Sequence, residues 1–293
     1  MLAAIFLVLV FALMTVPESG MNTAVHAVCP PCGACLMGKV SPLCSGGVGG
    51  TGGSSCGTVG YFLVSGFDGS TDNYSDYGVQ TVQTIDAQTI CGTSNSTGSG
   101  VGNYVTVYFP GACFDVETDK TVLDAVSVGY YEGVSGNGTW GASTPHFYWD
   151  DFMTDAQGIC QYTFYDLSQA SSIIPQIGAK VTFQLVADAI GESYWTVGIA
   201  FGGETITMRG IPTASASGFT TAVTSESHND VNKMTAWFSS LANLAWLPSS
   251  GATEWRAWTS SYTSTQPSNG NPYEIDQCSV TSFSVQTGQL GGC

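Results

Sequence analysis

The sequence predicts a mainly β protein, in which an N-terminal apolar α-helix precedes a disulfide-braced antiparallel β-sandwich head. Three observations support this fold class. The chain opens with an uncharged, almost wholly apolar run from Met1 to Val16, and it contains ten cysteines. From Val59 onward, short segments rich in β-branched and aromatic residues recur between turn residues. We therefore expect a hydrophobic helix over residues 1–28, a Cys/Gly-rich connector over 29–58 and a β-sandwich head domain over 59–293.

The charge balance narrows the classes of partner. Only 10% of the 293 residues are charged, and six basic against twenty-two acidic residues give a formal net charge of −16. Nucleic acid is excluded as a partner, because phosphate binding needs clustered Lys and Arg. The 43% of hydrophobic residues can bury a sizeable core. A surface with few charges is typical of extracellular structural proteins, because packing like subunits together then desolvates few charges.

The opening run has three competing interpretations. As a helix it is apolar all round, so it must be buried in something. Sixteen residues reach about 24 Å, short of the roughly 30 Å that a membrane span needs, and Pro17 kinks or ends the helix. A secretory signal peptide fits the length, although no Lys or Arg precedes the run. A membrane anchor would be short and lacks flanking positive charge. The third interpretation is a helix buried against copies of itself.

The uncharged start, the proline at position 17 and the strand-rich Ser/Thr/Gly head resemble processed type IV pilins, and more closely archaeal pilins and archaeal flagellin-like filament subunits. Bacterial members carry a glutamate at the fifth mature position, where this chain has Ile5, so the resemblance favours the archaeal type. It implies that the N-terminal helices bundle in a filament core. The side chains expected at this assembly surface are Leu2, Ile5, Phe6, Leu9, Val10 and Leu13.

Cysteines concentrate in the connector, where Cys29, Cys32 and Cys35 are spaced CxxCxxC. This spacing could ligate zinc or an iron–sulfur cluster. The four-cysteine ferredoxin spacing is absent, however, and an export-type start favours disulfides. An even number permits five bridges, whose pairing the spacing leaves open. The cysteines expected to pair are Cys29, Cys32, Cys35, Cys44, Cys56, Cys91, Cys113, Cys160, Cys278 and Cys293.

The head reads as about ten short strands, separated by turn signals such as Asp68-Gly69 and Gly202-Gly203. This spacing predicts an antiparallel sandwich or jelly roll. The segment Val231–Leu247 is predicted to be a helix, because its apolar residues recur at helical spacing before Pro248. A further strand is expected over Ser279–Val285.

Two acidic clusters are candidate calcium sites, since calcium takes oxygen ligands. Asp68, Asp72 and Asp76 lie in a Gly/Ser-rich loop, and Asp150, Asp151 and Asp155 lie beside aromatic residues. Neither matches the EF-hand loop, so a solvated loop is the alternative. No other cofactor is predicted.

Catalytic signals are sparse. The chain has no GxSxG or HExxH motif and three histidines, His26, His146 and His228. Glu226 and His228 are close in sequence and could act as an acid–base pair, with a structural hydrogen bond in a loop as the alternative.

A second resemblance concerns the head. Val128–Gly133, His146–Phe152 and the segment ending at Glu226 are similar to successive strands of the glutamic peptidases, which are secreted acidic β-sandwiches with a catalytic Gln–Glu pair. The resemblance places Glu226 roughly where their glutamate would be. No glutamine stands between Gly133 and Tyr148, where their other partner would be expected, so the family mechanism lacks one group.

Surface modification and sugar binding give two further expectations. N-glycosylation sequons begin at Asn73, Asn95 and Asn137, all in predicted loops. Several aromatic residues could bind carbohydrate, although core or subunit contacts are the more usual role. They are Tyr130, Tyr131, Trp140, Trp149, Trp255 and Trp258.

The sequence therefore predicts a non-enzymatic structural subunit of an extracellular, type IV pilus-like or flagellum-like filament that serves adhesion, attachment or motility. Its expected partners are identical subunits in a homopolymer, with membrane contact before assembly. The alternative is a secreted β-sandwich hydrolase, glutamic-peptidase-like, or a carbohydrate-binding protein, with residues 1 to about 27 as a signal peptide.

Overall fold

A computed structural model gives the fold of the head. It describes residues 58–70, 76–90, 99–115, 120–134, 144–171, 173–187, 194–212, 219–247, 249–266 and 270–287. The predicted N-terminal helix, its assembly side chains and most of the predicted connector lie outside these ranges. The predicted domain boundaries stay a prediction.

The described strands form two eight-stranded sheets. Sheet A has the order β14-β1-β11-β4-β5-β6-β7, with β3 paired to β11. Its strands are β1 (Thr58–Asp68), β3 (Thr89–Ile90), β4 (Ser99–Asp115), β5 (Lys120–Val134), β6 (His146–Thr154), β7 (Cys160–Asp166), β11 (Thr220–Lys233) and β14 (Ser261–Gln266).

Sheet B has the order β10-β9-β8-β2-β12-β16-β15, with β13 paired to β12. One short helix, α1 (Leu167–Ser171), follows β7. The strands of sheet B are β2 (Asp76–Thr84), β8 (Lys180–Ala187), β9 (Tyr194–Phe201), β10 (Glu204–Pro212), β12 (Ala236–Leu247), β13 (Ala252–Ala257), β15 (Tyr273–Ser279) and β16 (Ser282–Thr287).

The two sheets pack face to face around one large apolar core. In β8, buried residues alternate with more exposed ones, as expected where one face of a strand meets the core. Phe183 of sheet B and Phe147 of sheet A are both fully buried, with ring centroids 5.8 Å apart. Burying a side chain of this kind stabilises the fold by about 1.5–3 kcal/mol. The prediction of a mainly β sandwich therefore agrees with the structure.

The predicted helix over Val231–Leu247 is wrong, because this segment forms the end of β11 and the whole of β12. Phe238 and Leu241 are both buried although they are three residues apart, a spacing that mimics a helix. Ser240 between them has a φ of 54°, and the pairing of β12 with β2 shifts register between Ser239 and Ala242. This β-bulge changes which face each residue points to.

The fold-class prediction needs two further corrections. In the described residues the one helix is the five-residue α1, and no helix there is long and apolar enough to cross a membrane. Within the described residues the sandwich is formed by strand pairing and one apolar core, and disulfide bonds are shown at two of the ten predicted cysteines alone, so "disulfide-braced" is corrected as a description of the fold. Cys160 and Cys278 are each disulfide-bonded. The side chains of the other eight predicted cysteines lie outside the described residues.

Candidate active site

Sheet A buries a second set of side chains on its outer face, the face turned away from sheet B. Along β4, Val105 and Val107 point into the main core, whereas Tyr104 and Tyr108 belong to two small separate clusters. Both tyrosines are at most 4% exposed. A half-buried antiparallel sheet usually presents polar residues to water on its outer face. An outer face that is buried and rich in tyrosine is therefore a candidate site.

Strand register arranges this face into three cross-strand rows, because residues of one row face the same side and are directly paired. Each row crosses β1, β11, β4, β5 and β6, and two of them continue to β7. The first row is Leu63, Glu226, Gly102, Tyr131 and His146. The second row is Ser65, Thr224, Tyr104, Gly129, Tyr148 and Asp166. The third row is Phe67, Ala222, Thr106, Ser127, Asp150 and Phe164.

Glu226 is the one carboxyl group of the first row. It is 6% exposed. The hydroxyl of Tyr104 donates a hydrogen bond to its Oε2 at 2.9 Å, and the hydroxyl of Tyr61 donates to the same oxygen at 3.2 Å. Two donors on one carboxylate oxygen compensate for its loss of water and fix its orientation.

Gly102 keeps space open beside Glu226. A Cβ atom built on Gly102 would lie 3.1 Å from the Tyr148 hydroxyl and 3.3 Å from Glu226 Oε1. The tyrosine hydroxyl and the carboxylate therefore meet above the same glycine. The pKa of Tyr148 is raised well above its usual value, by burial first and then by the charges of Asp150 and Glu226.

Asp150, in the third row, is the second buried carboxyl. It is 9% exposed, and its Oδ2 lies 3.5 Å from the hydroxyl of Tyr162. Burial raises the pKa of Asp150 well above its usual range, and the negative charge of Glu226 raises it further. A hydrogen bond from the Ser127 side chain lowers the pKa of Asp150 and so partly offsets this rise. Asp150 therefore keeps its proton at pH values where an exposed aspartate has lost it.

His146, Asp166 and Tyr131 form a polar cluster at the β6–β7 side of the outer face. Nδ1 of His146 lies 2.7 Å from Oδ2 of Asp166, and the Tyr131 hydroxyl donates to the same oxygen at 2.9 Å. The backbone N–H of Gln169 donates to the other Asp166 oxygen at 2.8 Å. Asp166 thus caps α1 and fixes the imidazole of His146 at the same time.

The acidic cluster predicted around Asp150 is not assembled. Asp151 points to the opposite side of β6, and burial raises its pKa to about 7 although hydrogen bonds from Thr163 oppose the shift. Asp155 lies in the turn after β6, where its Oδ1 accepts hydrogen bonds from the backbone N–H of Ile159 at 2.8 Å and of Gln157 at 2.9 Å. This turn is structural.

The predicted calcium ligands are only partly visible. Asp68 Oδ2 accepts a hydrogen bond from Asn243 at 2.6 Å, and its Oδ1 accepts one from the backbone N–H of Ser70 at 2.8 Å. The side chains of Asp72 and Asp76 lie outside the described residues. No group of three or more His, Cys, Asp or Glu gathers at a metal-binding distance among the side chains that are described. Calcium at these three aspartates stays a prediction.

Other predicted residues have different outcomes. The sequons at Asn73, Asn95 and Asn137 lie outside the described residues, as do Trp140 and the side chain of His228. Among the aromatic residues considered for carbohydrate, four are buried and Trp255 is half-buried. The buried ones are Tyr130, Tyr131, Trp149 and Trp258.

Sequence reasoning found Glu226 but missed most of its surroundings. Tyr61, Tyr104 and Tyr148 come from three different strands, so no local spacing connects them with Glu226. The alternation of tyrosine and glycine along β4 and β5 was the available signal, because it puts Gly102 and Tyr104 on one face of the sheet.

No protein-family model and no curated protein matches this sequence. Among solved structures, the chain is similar to scytalido-glutamic peptidase, with 9% identity and a TM-score of 0.47 over 77% of this chain and 97% of that one. It is also similar to SCP-B, a member of the eqolisin family of peptidases, with 9% identity and a TM-score of 0.45 over 80% of this chain and 100% of that one. Alginate lyase from Klebsiella pneumoniae has 10% identity and a TM-score of 0.32 over 58% and 60%.

These findings correct three sequence predictions. The structures that the chain is similar to are enzymes with β-sandwich folds, and the described residues contain only the five-residue helix α1. The predicted pilin resemblance, the structural filament subunit and the absence of enzyme activity are therefore wrong. Of the predicted pilus-like architecture, the β-sandwich is the part that the described structure retains.

Proposed function

We propose that this protein is an extracellular acid hydrolase that cleaves peptide bonds with Glu226 as general base and Asp150 as general acid. One observation supports this above all others. Two buried carboxyl groups share the outer face of sheet A, within electrostatic reach of each other, and tyrosine hydroxyls contact both. Pairs of titratable groups in contrasting environments are the usual basis of acid–base assignments in active sites.

The contrast between the two carboxyls assigns their roles. Glu226 accepts two tyrosine hydrogen bonds, which stabilise a carboxylate that can receive a proton. Asp150 is held by burial and by the charge of Glu226 as a neutral acid that can give one. In the first step a water molecule attacks the carbonyl carbon of the substrate. Glu226 takes a proton from the water, and Asp150 protonates the carbonyl oxygen, giving a neutral tetrahedral diol.

The second step restores both groups. Glu226 gives the proton that it took from water to the departing nitrogen as the carbon–nitrogen bond breaks. Asp150 recovers a proton from one hydroxyl of the diol, which becomes the carboxylic acid product. Both carboxyl groups end the cycle in the protonation states in which they began it, so the protons balance over the two steps.

Peptide is the substrate class that we favour over polysaccharide. The segment ending at Glu226 is similar to a strand of the glutamic peptidases, and the structure places that glutamate on the buried outer face. Polysaccharide hydrolysis also uses two carboxyls, so it is the alternative outcome of the test below. An extracellular location is supported by the disulfides at Cys160 and Cys278, since such bonds persist mainly in oxidising compartments.

The test compares Glu226→Gln with a matched control, Glu254→Gln. Glu254 lies on β13 of sheet B, is 53% exposed and pairs only loosely with Arg256 at 3.7 Å. Each purified protein is incubated between pH 3 and pH 7 with unfolded casein, and separately with β-glucan and alginate, while released amines and reducing sugars are measured. We expect peptide release by the wild type and the control, and a loss of about 100-fold or more in kcat for Glu226→Gln. Unchanged kcat in Glu226→Gln, or release of sugars without peptides, would contradict the proposal.

Three predictions about ligands and partners stay predictions. They are calcium as the one candidate ion, a homopolymer of identical subunits with membrane contact before assembly, and the exclusion of nucleic acid as a partner.

A further inference from the structure

We propose that His146 binds a carboxylate group of the substrate and so gives the site a preference for acidic peptides. The inference rests on the proposed function, because it takes Glu226 and Asp150 as the place of bond cleavage. It concerns a different group, at the opposite end of the first row, and it is testable by binding alone.

The imidazole of His146 is held in one orientation. Its Nδ1 faces Asp166 at 2.7 Å, and Asp166 is itself fixed by the Tyr131 hydroxyl and by the N–H of Gln169. The Tyr131 ring also packs edge-on against the imidazole, with centroids 5.8 Å apart. Because Nδ1 faces the carboxylate of Asp166, Nε2 is the ring nitrogen that can contact a ligand. The side chain of His146 is 20% exposed, so a solute can reach it.

The register places His146 at a useful distance from Glu226. Both residues belong to the first row, and β4 and β5 lie between their strands. Three strand spacings correspond to about 14 Å, and an extended peptide advances about 3.3 Å per residue. A peptide lying across the strands would therefore present its side chain to His146 about three or four residues from the bond above Glu226. Two residues of the row lie between them. Gly102 adds no side chain, and the ring of Tyr131 forms the floor beside His146.

His146 is the group on this face that can recognise a carboxylate. In the three rows, the described titratable acids are Glu226, Asp150 and Asp166, and His146 is the one described base. The groups that face its ring are Asp166 from the end of β7 and Tyr131 from β5, with Tyr148 packed behind Tyr131 at 5.7 Å. The ring nitrogen of His146 that does not face Asp166 can donate a hydrogen bond to a side-chain carboxylate of the substrate, and hydrogen bonds to ionised acceptors are stronger than those to neutral amides.

The experiment measures binding without cleavage. Two octapeptides with amidated C-termini differ only in Glu or Gln at the fourth residue from the central bond, and a third carries Gln and a free C-terminal carboxylate. Each is titrated calorimetrically into Glu226→Gln at pH 5. We expect the Glu peptide to bind about tenfold more tightly than the amidated Gln peptide.

Variants on the same background separate recognition from packing. His146→Phe keeps a ring against Tyr131 and should bring the Glu/Gln affinity ratio to about one. Tyr131→Phe removes only the hydroxyl that orients Asp166 and should give an intermediate ratio. Equal binding of the two amidated peptides, a ratio that survives His146→Phe, or no binding at millimolar peptide would each overturn the inference. Tighter binding of only the peptide with the free terminus would also overturn it, since it identifies a terminal carboxylate instead.

Failure here is distinguishable from failure of the proposed function. If Glu226→Gln still cleaves casein like the wild type, the catalytic assignment is wrong while the affinity ratio still reports on His146. If Glu226→Gln is inactive but shows no preference, only the role of His146 is lost.

Discussion

Asp150 and Asp151 are adjacent in sequence but belong to different sides of sheet A. Asp150 faces outward beside Ser127 and Tyr162, whereas Asp151 faces the opposite side and is bound by Thr163. The sequence presented them as one acidic cluster, because side-by-side carboxylates suggest a shared ion. Strand alternation separates them, and this could have been predicted from the β-strand pattern of β6. The partners of each carboxyl could not, since they come from strands distant in sequence.

Asp150→Asn tests the role of the proton at this position. An amide has nearly the same shape but cannot give a proton to the carbonyl oxygen of the substrate. We expect kcat for casein at pH 5 to fall about 100-fold or more. In the wild type, kcat should fall as the pH rises and Asp150 loses its proton, whereas the residual rate of Asp150→Asn should lack this fall. If kcat of Asp150→Asn falls with rising pH in the same way as kcat of the wild type, a group other than Asp150 controls the pH dependence.

At the scale of elements, the pairing of β4 with β5 positions the side chains of the candidate site. It brings Tyr104 opposite Gly129, and Tyr104 in turn reaches Glu226. Sequence patterns predicted both segments as strands, and the number and spacing of the strands predicted the sandwich. They did not predict β12, because a bulge at Ser240 gave its apolar residues the spacing of a helix. Periodicity identifies regular strands and fails where a bulge interrupts the alternation.

Gly129→Ala tests the close approach of these two strands. A Cβ atom at Gly129 would lie 2.6 Å from the Tyr104 Cα and 2.7 Å from its Cβ, closer than real atoms approach. Backbone atoms cannot rotate away, so the strands must separate. We expect the free energy of unfolding to fall by about 1–3 kcal/mol or more, as for other overpacked interiors. Urea unfolding measures it.

The control for this substitution is Gly198→Ala on β9, where a Cβ would meet only the Gln184 side chain at 3.4 Å or more. This variant should lie within about 1 kcal/mol of the wild type, since surface-like changes are usually small. Equal losses in both variants would mean that the contact with Tyr104 is not what constrains position 129.

For the whole molecule, the buried carboxyl groups make the folded state more stable at acid pH than at neutral pH. Burial is the first cause that raises the pKa of Asp86, Glu132, Asp150 and Asp151. Each group then binds its proton more tightly in the folded chain than in the unfolded one. The associated stability is fully present below the unfolded pKa near 4, and it is lost as the pH rises through the folded pKa, about 7 for Asp151. The net charge of −16 adds repulsion in the same direction.

We therefore expect the thermal midpoint to rise by several degrees when the pH is lowered from 7.5 to 5, opposite to the behaviour of proteins that unfold in acid. Differential scanning calorimetry at constant ionic strength measures it. Asp151→Asn removes one of these titrations and should flatten the slope of the midpoint against pH between 4 and 7. A midpoint that falls steadily from pH 7.5 to 5 would contradict this account.

Every described side chain of the three rows stands on a paired strand, and none is supplied by a connecting segment. Loops usually carry the functional residues of a protein, and their length then cannot change freely. Here the described row residues do not depend on the length of the segments that connect the strands. Insertions, grafted epitopes or new chain ends placed in them should leave hydrolysis intact, which makes the fold a tolerant scaffold for engineering.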